Sequence, residues 1–166
     1  MIIAGSTAAG ACIAYGMKKR MEELREFERV LGYLLGEIRC NHSLIYEACR
    51  NVAKRTSILY AGWLGELSDM LYADQAGDYE VALLWEESLD YLVNNSHIKA
   101  TDICLMKPFG QALGYLDIVS QEERINLEQD NYHKELLERE KELSKQMKLA
   151  VYLGVLGGIF VVILLI

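Results

Sequence analysis

The chain has 166 residues, with 17 basic and 24 acidic side chains and a formal net charge of −7. That acidic balance argues against nucleic acid as a partner, because phosphate contacts need a stripe of Lys and Arg. Every charge lies between Lys18 and Lys148, so a mean hydropathy near zero (+0.08) conceals two uncharged ends around a polar middle.

Residues 1–17 (MIIAGSTAAGACIAYGM) are uncharged and rich in Gly and Ala. The basic residues Lys18, Lys19 and Arg20 follow this run, where a secretory signal would carry them in front. The order predicts an uncleaved anchor whose basic flank faces the cytoplasm. Met21, Leu24, Phe27, Leu31, Leu34 and Ile38 then form one stripe of an amphipathic helix reaching about Cys40. Ser43 is placed to cap a second helix carrying Leu44, Ala48 and Val52. Ser57 is placed to cap a third through Ile58, Trp63, Leu67 and Leu71.

Gly77 and Asp78 break the chain before a fourth helix, with Val81, Leu84, Trp85, Leu89 and Leu92 facing inward and Asn94 and Asn95 at its end. A fifth runs from about Thr101 to Leu113, and Pro108 kinks it or marks its true start. Gly114 serves as a stop. Asp117 or Ser120 starts the last helix, with Ser120 and Glu123 at capping-box spacing. Its stripe of Ile125, Tyr132, Leu136, Leu143 and Met147 runs without Gly or Pro into residues 149–166 (LAVYLGVLGGIFVVILLI).

That terminal run is uncharged and as long as a transmembrane helix, about 17–25 residues. Lys145 and Lys148 place its near side in the cytoplasm. The expected organisation is therefore an N-terminal apolar membrane segment at 1–17, a cytoplasmic helical bundle at 18–148 and a C-terminal transmembrane helix at 149–166. No alternating strand pattern persists, so the expected fold is all-α: a six-helix bundle whose last helix continues into the membrane. Gly5, Ala9, Gly10 and Ala14 fall at small-xxx-small spacings, and Gly154 with Gly158 forms a GxxxG pair. Such spacings let helices approach closely in lipid, although Gly is also common in membrane helices generally.

Cys12, Cys40, Cys49 and Cys104 lack metal or redox spacing and fit reduced thiols. His42, His97 and His133 stand too far apart in sequence to draw a zinc site. No catalytic, metal-binding or cofactor-binding residue is expected. Asp117, between Gly114 and Gln121, invites an acid–base reading, but a lone carboxylate has no nucleophile, base or metal beside it. A turn needs Gly and Asp there for mechanical reasons. Between Thr56 and Ile98 there is no Lys or Arg, but there are Glu66, Asp69, Asp74, Asp78, Glu80, Glu86, Glu87 and Asp90. Such a lobe suits a basic partner, and ordinary solvated helix faces give the same pattern. The candidate docking residues are Glu86, Glu87, Asp90, Asp74, Asp78 and Glu80. Trp63 and Trp85 are expected to be core anchors.

The stretch Phe109-Gly110-x-x-Leu113-Gly114-x-x-Asp117-x-x-x-Gln121-x-x-x-Ile125-x-Leu127 resembles the signature of the stage III sporulation protein AB family. Trp85-x-x-Ser88-Leu89 and Leu44-x-x-x-Ala48-x-x-x-Val52 match that family's spacing too, and the resemblance covers essentially the whole chain. It implies a structural subunit of the secretion-like complex joining mother cell and forespore in endospore formation. The family in turn looks like the cytoplasmic domains of type II secretion and type IV pilus inner-membrane platform proteins. Such a subunit would sit in the mother-cell membrane surrounding the forespore, contact membrane lipid and other integral-membrane subunits, and dock a cytoplasmic ATPase of the stage III sporulation protein AA type. The family offers no catalytic residues to transfer. The rival from another class is a membrane-tethered sensor or adaptor relaying signals through the long last helix, which would need a receptor face outside.

Overall fold

The computed structural model describes residues 2–41, 43–74, 79–113 and 118–165; within these, the side chains of 2–9, 41, 118–122, 158 and 161–165 are excluded. Two long helices form the frame: α1 (Ile2–Asn41) and α7 (Ile118–Leu165), of 40 and 48 residues. Between them lie α2 (Ile45–Ala53), α3 (Ile58–Ala73), α4 (Val81–Asn95), α5 (Ala100–Met106) and α6 (Pro108–Leu113). Among the described residues there is no strand. If α5 and α6 are taken as one helix broken at Pro108, the expected six-helix order stands. The break has the expected cause, since proline lacks an N–H and crowds the preceding turn.

α1 and α7 run antiparallel along most of their length. Successive contacts keep one register: Gly10 meets Ala150 and Gly154, Arg20 and Arg139 share Asp102, and Tyr132 Oη donates to the Leu24 carbonyl at 2.9 Å. Farther along, His133 Nδ1 lies 2.6 Å from Glu28. α2 packs on α1 and α3, α3 on α4, and α6 on both α4 and α7.

Phe27 of α1 stands at the centre of the core. Its ring lies 5.4–6.4 Å from those of Tyr60, Trp63, Trp85, Phe109 and Tyr132, which come from α3, α4, α6 and α7. Edge and tilted geometries of this kind suit the ring quadrupoles and add to the energy of burial. The polar tips are satisfied. Trp63 Nε1 donates to Ser88 Oγ at 3.0 Å, Ser88 Oγ to the Trp85 carbonyl at 2.7 Å, and Trp85 Nε1 to the Met106 carbonyl at 2.9 Å. Among the described residues every buried side-chain nitrogen and oxygen has a partner.

Several expected boundaries shift. Helix α2 starts at Ile45 with Leu44 as its N-cap, so Ser43 caps nothing and Leu44 is exposed. Ser57 is the N-cap of α3 without a side-chain cap bond; its backbone N–H instead donates to Glu26 at 2.9 Å. Ile58 is 93 % exposed on the outer side of the first turn of α3, whereas Tyr60 in the same turn is fully buried. Helix α7 already includes Ser120, so Ser120 and Glu123 form no capping box at its start. Gly77, Asp78, Gly114 and Asp117 lie outside the described residues.

The two flanking membrane helices are not separate elements: residues 2–17 are the start of α1 and 149–165 the end of α7. Among the described residues no helix is long and apolar enough to cross a membrane. Gly, Ala and Ser dilute the hydropathy of the first run, and most of the second half of the last run lies beyond the described side chains.

Candidate docking and membrane-proximal surfaces

The residues of the Trp–Phe–Gly signature are packing residues. Trp85, Ser88, Phe109, Gly110 and Leu113 are all buried. Gly110 is required by contact: a Cβ there would sit 2.7–2.8 Å from three atoms of Trp85. Gly114 and Asp117 are outside the described residues, and Gln121 lies in the first turns of α7 with its side chain outside them.

The acidic candidates fall on the outer surfaces of α3 and α4. Glu80 is the N-cap of α4, and Glu87 and Asp90 are exposed on its outer side. Glu86 is half-buried and bound to Lys107 Nζ at 2.8 Å, so its charge is matched from α5's C-cap. Asp74, the C-cap of α3, accepts the Tyr79 backbone N–H at 3.2 Å. Asp69, on α3, is reached by Arg50 at 3.5 Å and remains 80 % exposed. Beside Glu80 and Glu86 runs an open groove of about 620 Å³ flanked by Tyr79, Leu83 and Gln111. Tyr79 and Leu83 are 63 % and 57 % exposed, so the acidic face carries apolar anchors.

A buried ion cluster, not evident from the sequence, joins α5 to the two long helices. Asp102, in the first turn of α5, has no solvent exposure. It accepts Arg20 Nε at 2.8 Å and Nη2 at 2.6 Å, Arg139 Nη1 at 2.6 Å and the Lys99 backbone N–H at 2.9 Å. Burial pushes its pKa upward, but the Arg20 hydrogen bonds, the Lys99 N–H and the two guanidinium charges outweigh burial and leave it below the ordinary aspartate value. The cluster ties α1, α5 and α7 together and carries a net charge of one positive unit. Nearby, Glu23 holds His97 through its backbone N–H at 2.8 Å and Nδ1 at 3.1 Å.

Beyond this cluster the paired helix ends turn apolar. Gly10 lets α1 meet the backbone of α7, since a Cβ there would lie 2.8 Å from the Ala150 carbonyl oxygen and 3.5 Å from Gly154 Cα. Of the small residues at these spacings, Gly10 is the one shown in close contact with α7, with Gly154 among its neighbours. Around this seam Ile13, Tyr15, Leu149, Tyr152, Leu156 and Phe160 are 55–65 % exposed. A helix end apolar on all sides belongs in a nonaqueous setting or against a partner.

The fold and these surfaces define a helical scaffold. Among the described residues no three His, Cys, Asp or Glu side chains gather as a metal site. The chain belongs to the stage III sporulation protein AB family, whose model matches residues 1–166. It is 26 % identical over 164 residues to the stage III sporulation protein AB of Bacillus subtilis (strain 168), covering 99 % of this chain and 94 % of that one. A solved structure of stage III sporulation protein AB superposes with a TM-score of 0.65 at 24 % identity, covering 76 % of this chain and 97 % of that chain, and so shares its fold. The family is one of structural sporulation proteins and is not a known enzyme family.

Proposed function

We propose that this protein is a membrane-anchored docking subunit of the secretion-like complex between mother cell and forespore. The observation that carries this reading is polarity. The paired ends of α1 and α7 expose apolar side chains, and the surfaces of α3 and α4 expose carboxylates in a stretch without Lys or Arg. In this reading residues 149–166, joined by residues 1–17 along the Gly10 seam, sit in the mother-cell membrane around the forespore. Other integral-membrane subunits pack against that pair. α7, continuous from Ile118 to Leu165, holds the bundle at a fixed distance from the bilayer. The cytoplasmic ATPase of the stage III sporulation protein AA type docks on Glu80, Glu87 and Asp90, with Asp74 at the rim. Charge complementarity sets the rate and selectivity of that encounter.

The test uses the full chain in lipid nanodiscs. It should retain the purified ATPase in a salt-sensitive manner, and Glu80→Lys, Glu87→Lys and Asp90→Lys together should abolish retention. Undiminished binding by the triple variant would overturn the docking face.

A further inference from the structure

A second cleft lies where the apolar ends meet the charged bundle. It has a volume of about 360 Å³ and is formed by α1, α7 and the segment before α5. Arg20, His97, Lys99 and Gln146 supply its polar lining and Ile13, Met17 and Leu143 its apolar lining. The lining contains two fixed cations and no carboxylate, in a protein of net charge −7. The adjoining cleft on the other side of Arg20 is different, for Glu135, Glu138 and Glu142 line it and would repel an anion.

We propose that this cleft binds the phosphate head group of an anionic phospholipid, with the first acyl carbons against Ile13 and Met17. This rests on the membrane-anchoring reading above and adds a particular site to it. Three observations support a lipid over a free anion. Along α1 the cationic Arg20 is followed toward the helix end by the apolar Met17 and Ile13, the order in which a lipid presents head group and chain. From Ile13 to Arg20 the helix rises about 10 Å, comparable to the ~5–8 Å of a head-group layer. The apolar surface of the α1–α7 ends begins directly beyond Met17.

The positive charge is built in. Asp102 is shared between Arg20 and Arg139, so it offsets only part of the charge of Arg20, and Lys99 adds a full unit from an exposed position. Lys99 holds Asp102 through its backbone N–H, so its side chain can be changed without touching that bond.

The test is native mass spectrometry of the full chain released from nanodiscs of equal parts phosphatidylglycerol and phosphatidylcholine. The wild type should retain phosphatidylglycerol selectively. Lys99→Glu should weaken that retention about tenfold, Lys99→Arg should preserve it, and Lys145→Glu, in a different groove, should leave it nearly unchanged. Equal retention of both lipids, or an equal loss from Lys145→Glu, would overturn the site while leaving anchoring intact. Displacement of the lipid by low-millimolar inorganic phosphate would mark a free-anion site and overturn the lipid assignment. Failure of the chain to enter either lipid would overturn the anchoring reading and this site together.

Discussion

Gly110 lies directly beneath the indole of Trp85, so close that a methyl group at 110 would come within 2.7–2.8 Å of the ring and Cβ atoms. The indole is held by Nε1, the atom next to Cδ1, donating to the Met106 carbonyl at 2.9 Å, so a shift of the ring away from position 110 strains that bond. Gly110→Ala should therefore cost about 1–3 kcal/mol, the range of core overpacking. Urea denaturation read by Trp fluorescence checks this, and an unchanged midpoint would mean the indole moves freely.

The Arg20–Asp102–Arg139 cluster gives a pH prediction. Because the folded-state pKa of Asp102 lies below its unfolded value, its contribution is complete above the ordinary aspartate range, near 3.8, and fades as pH falls through the folded value. Asp102→Asn leaves two half-buried guanidinium groups short of their counter-charge and should cost about 2–3 kcal/mol at neutral pH. The gap between wild type and variant should narrow only below about pH 4. Denaturation midpoints measured from pH 7 downward provide the check; a gap independent of pH would show that the carboxylate's charge is not what matters.

The thiols should separate into two classes. Cys12, Cys40 and Cys104 are exposed, whereas Cys49 is buried and its thiol is pushed up to about 12 by burial. A maleimide at pH 7 should modify Cys40 and Cys104 in the folded protein and Cys49 only after denaturation, as mass spectrometry of peptides would show. Early labelling of Cys49 would indicate that α2 opens from the core.

The α1–α7 seam predicts an asymmetry between two glycines. At Gly10 any Cβ meets the backbone of Ala150, which cannot rotate away; at Gly157 nothing lies within 4 Å. Gly10→Leu should part the helix ends and hasten proteolysis near residues 10–20 in detergent. Gly157→Leu should leave the cleavage pattern as it is.

Much of this architecture is legible in the sequence because burial follows helical period. Phe27, Trp63, Trp85, Leu89, Tyr132 and Leu143 all face the core as their spacing indicates. The period misleads at Ile58, which lies on the outer side of a turn whose inner side is held by the buried Tyr60. Capping was misread at Ser43 because spacing alone does not show where neighbouring helices let a turn begin. The buried ion cluster was hidden for a different reason. Asp102 reads locally as an ordinary acid in a helix's first turn, and its partners lie 82 and 37 residues away. Only the antiparallel register of α1 and α7 brings Arg20 and Arg139 to one carboxylate. The acidic lobe was visible as a gap in Lys and Arg, but the fold brings Lys107 back onto Glu86 and moves the weight of the face toward Glu80, Glu87 and Asp90.

The central claim is that the outer side of α4 receives the ATPase. A photo-crosslinking amino acid at position 87, in sporulating cells, tests it most directly, with position 137 on the exposed side of α7 as the comparison. The account predicts a product from position 87 that mass spectrometry identifies as the stage III sporulation protein AA type ATPase, with none from 137. Capture of that ATPase from 137 and not from 87 would contradict it.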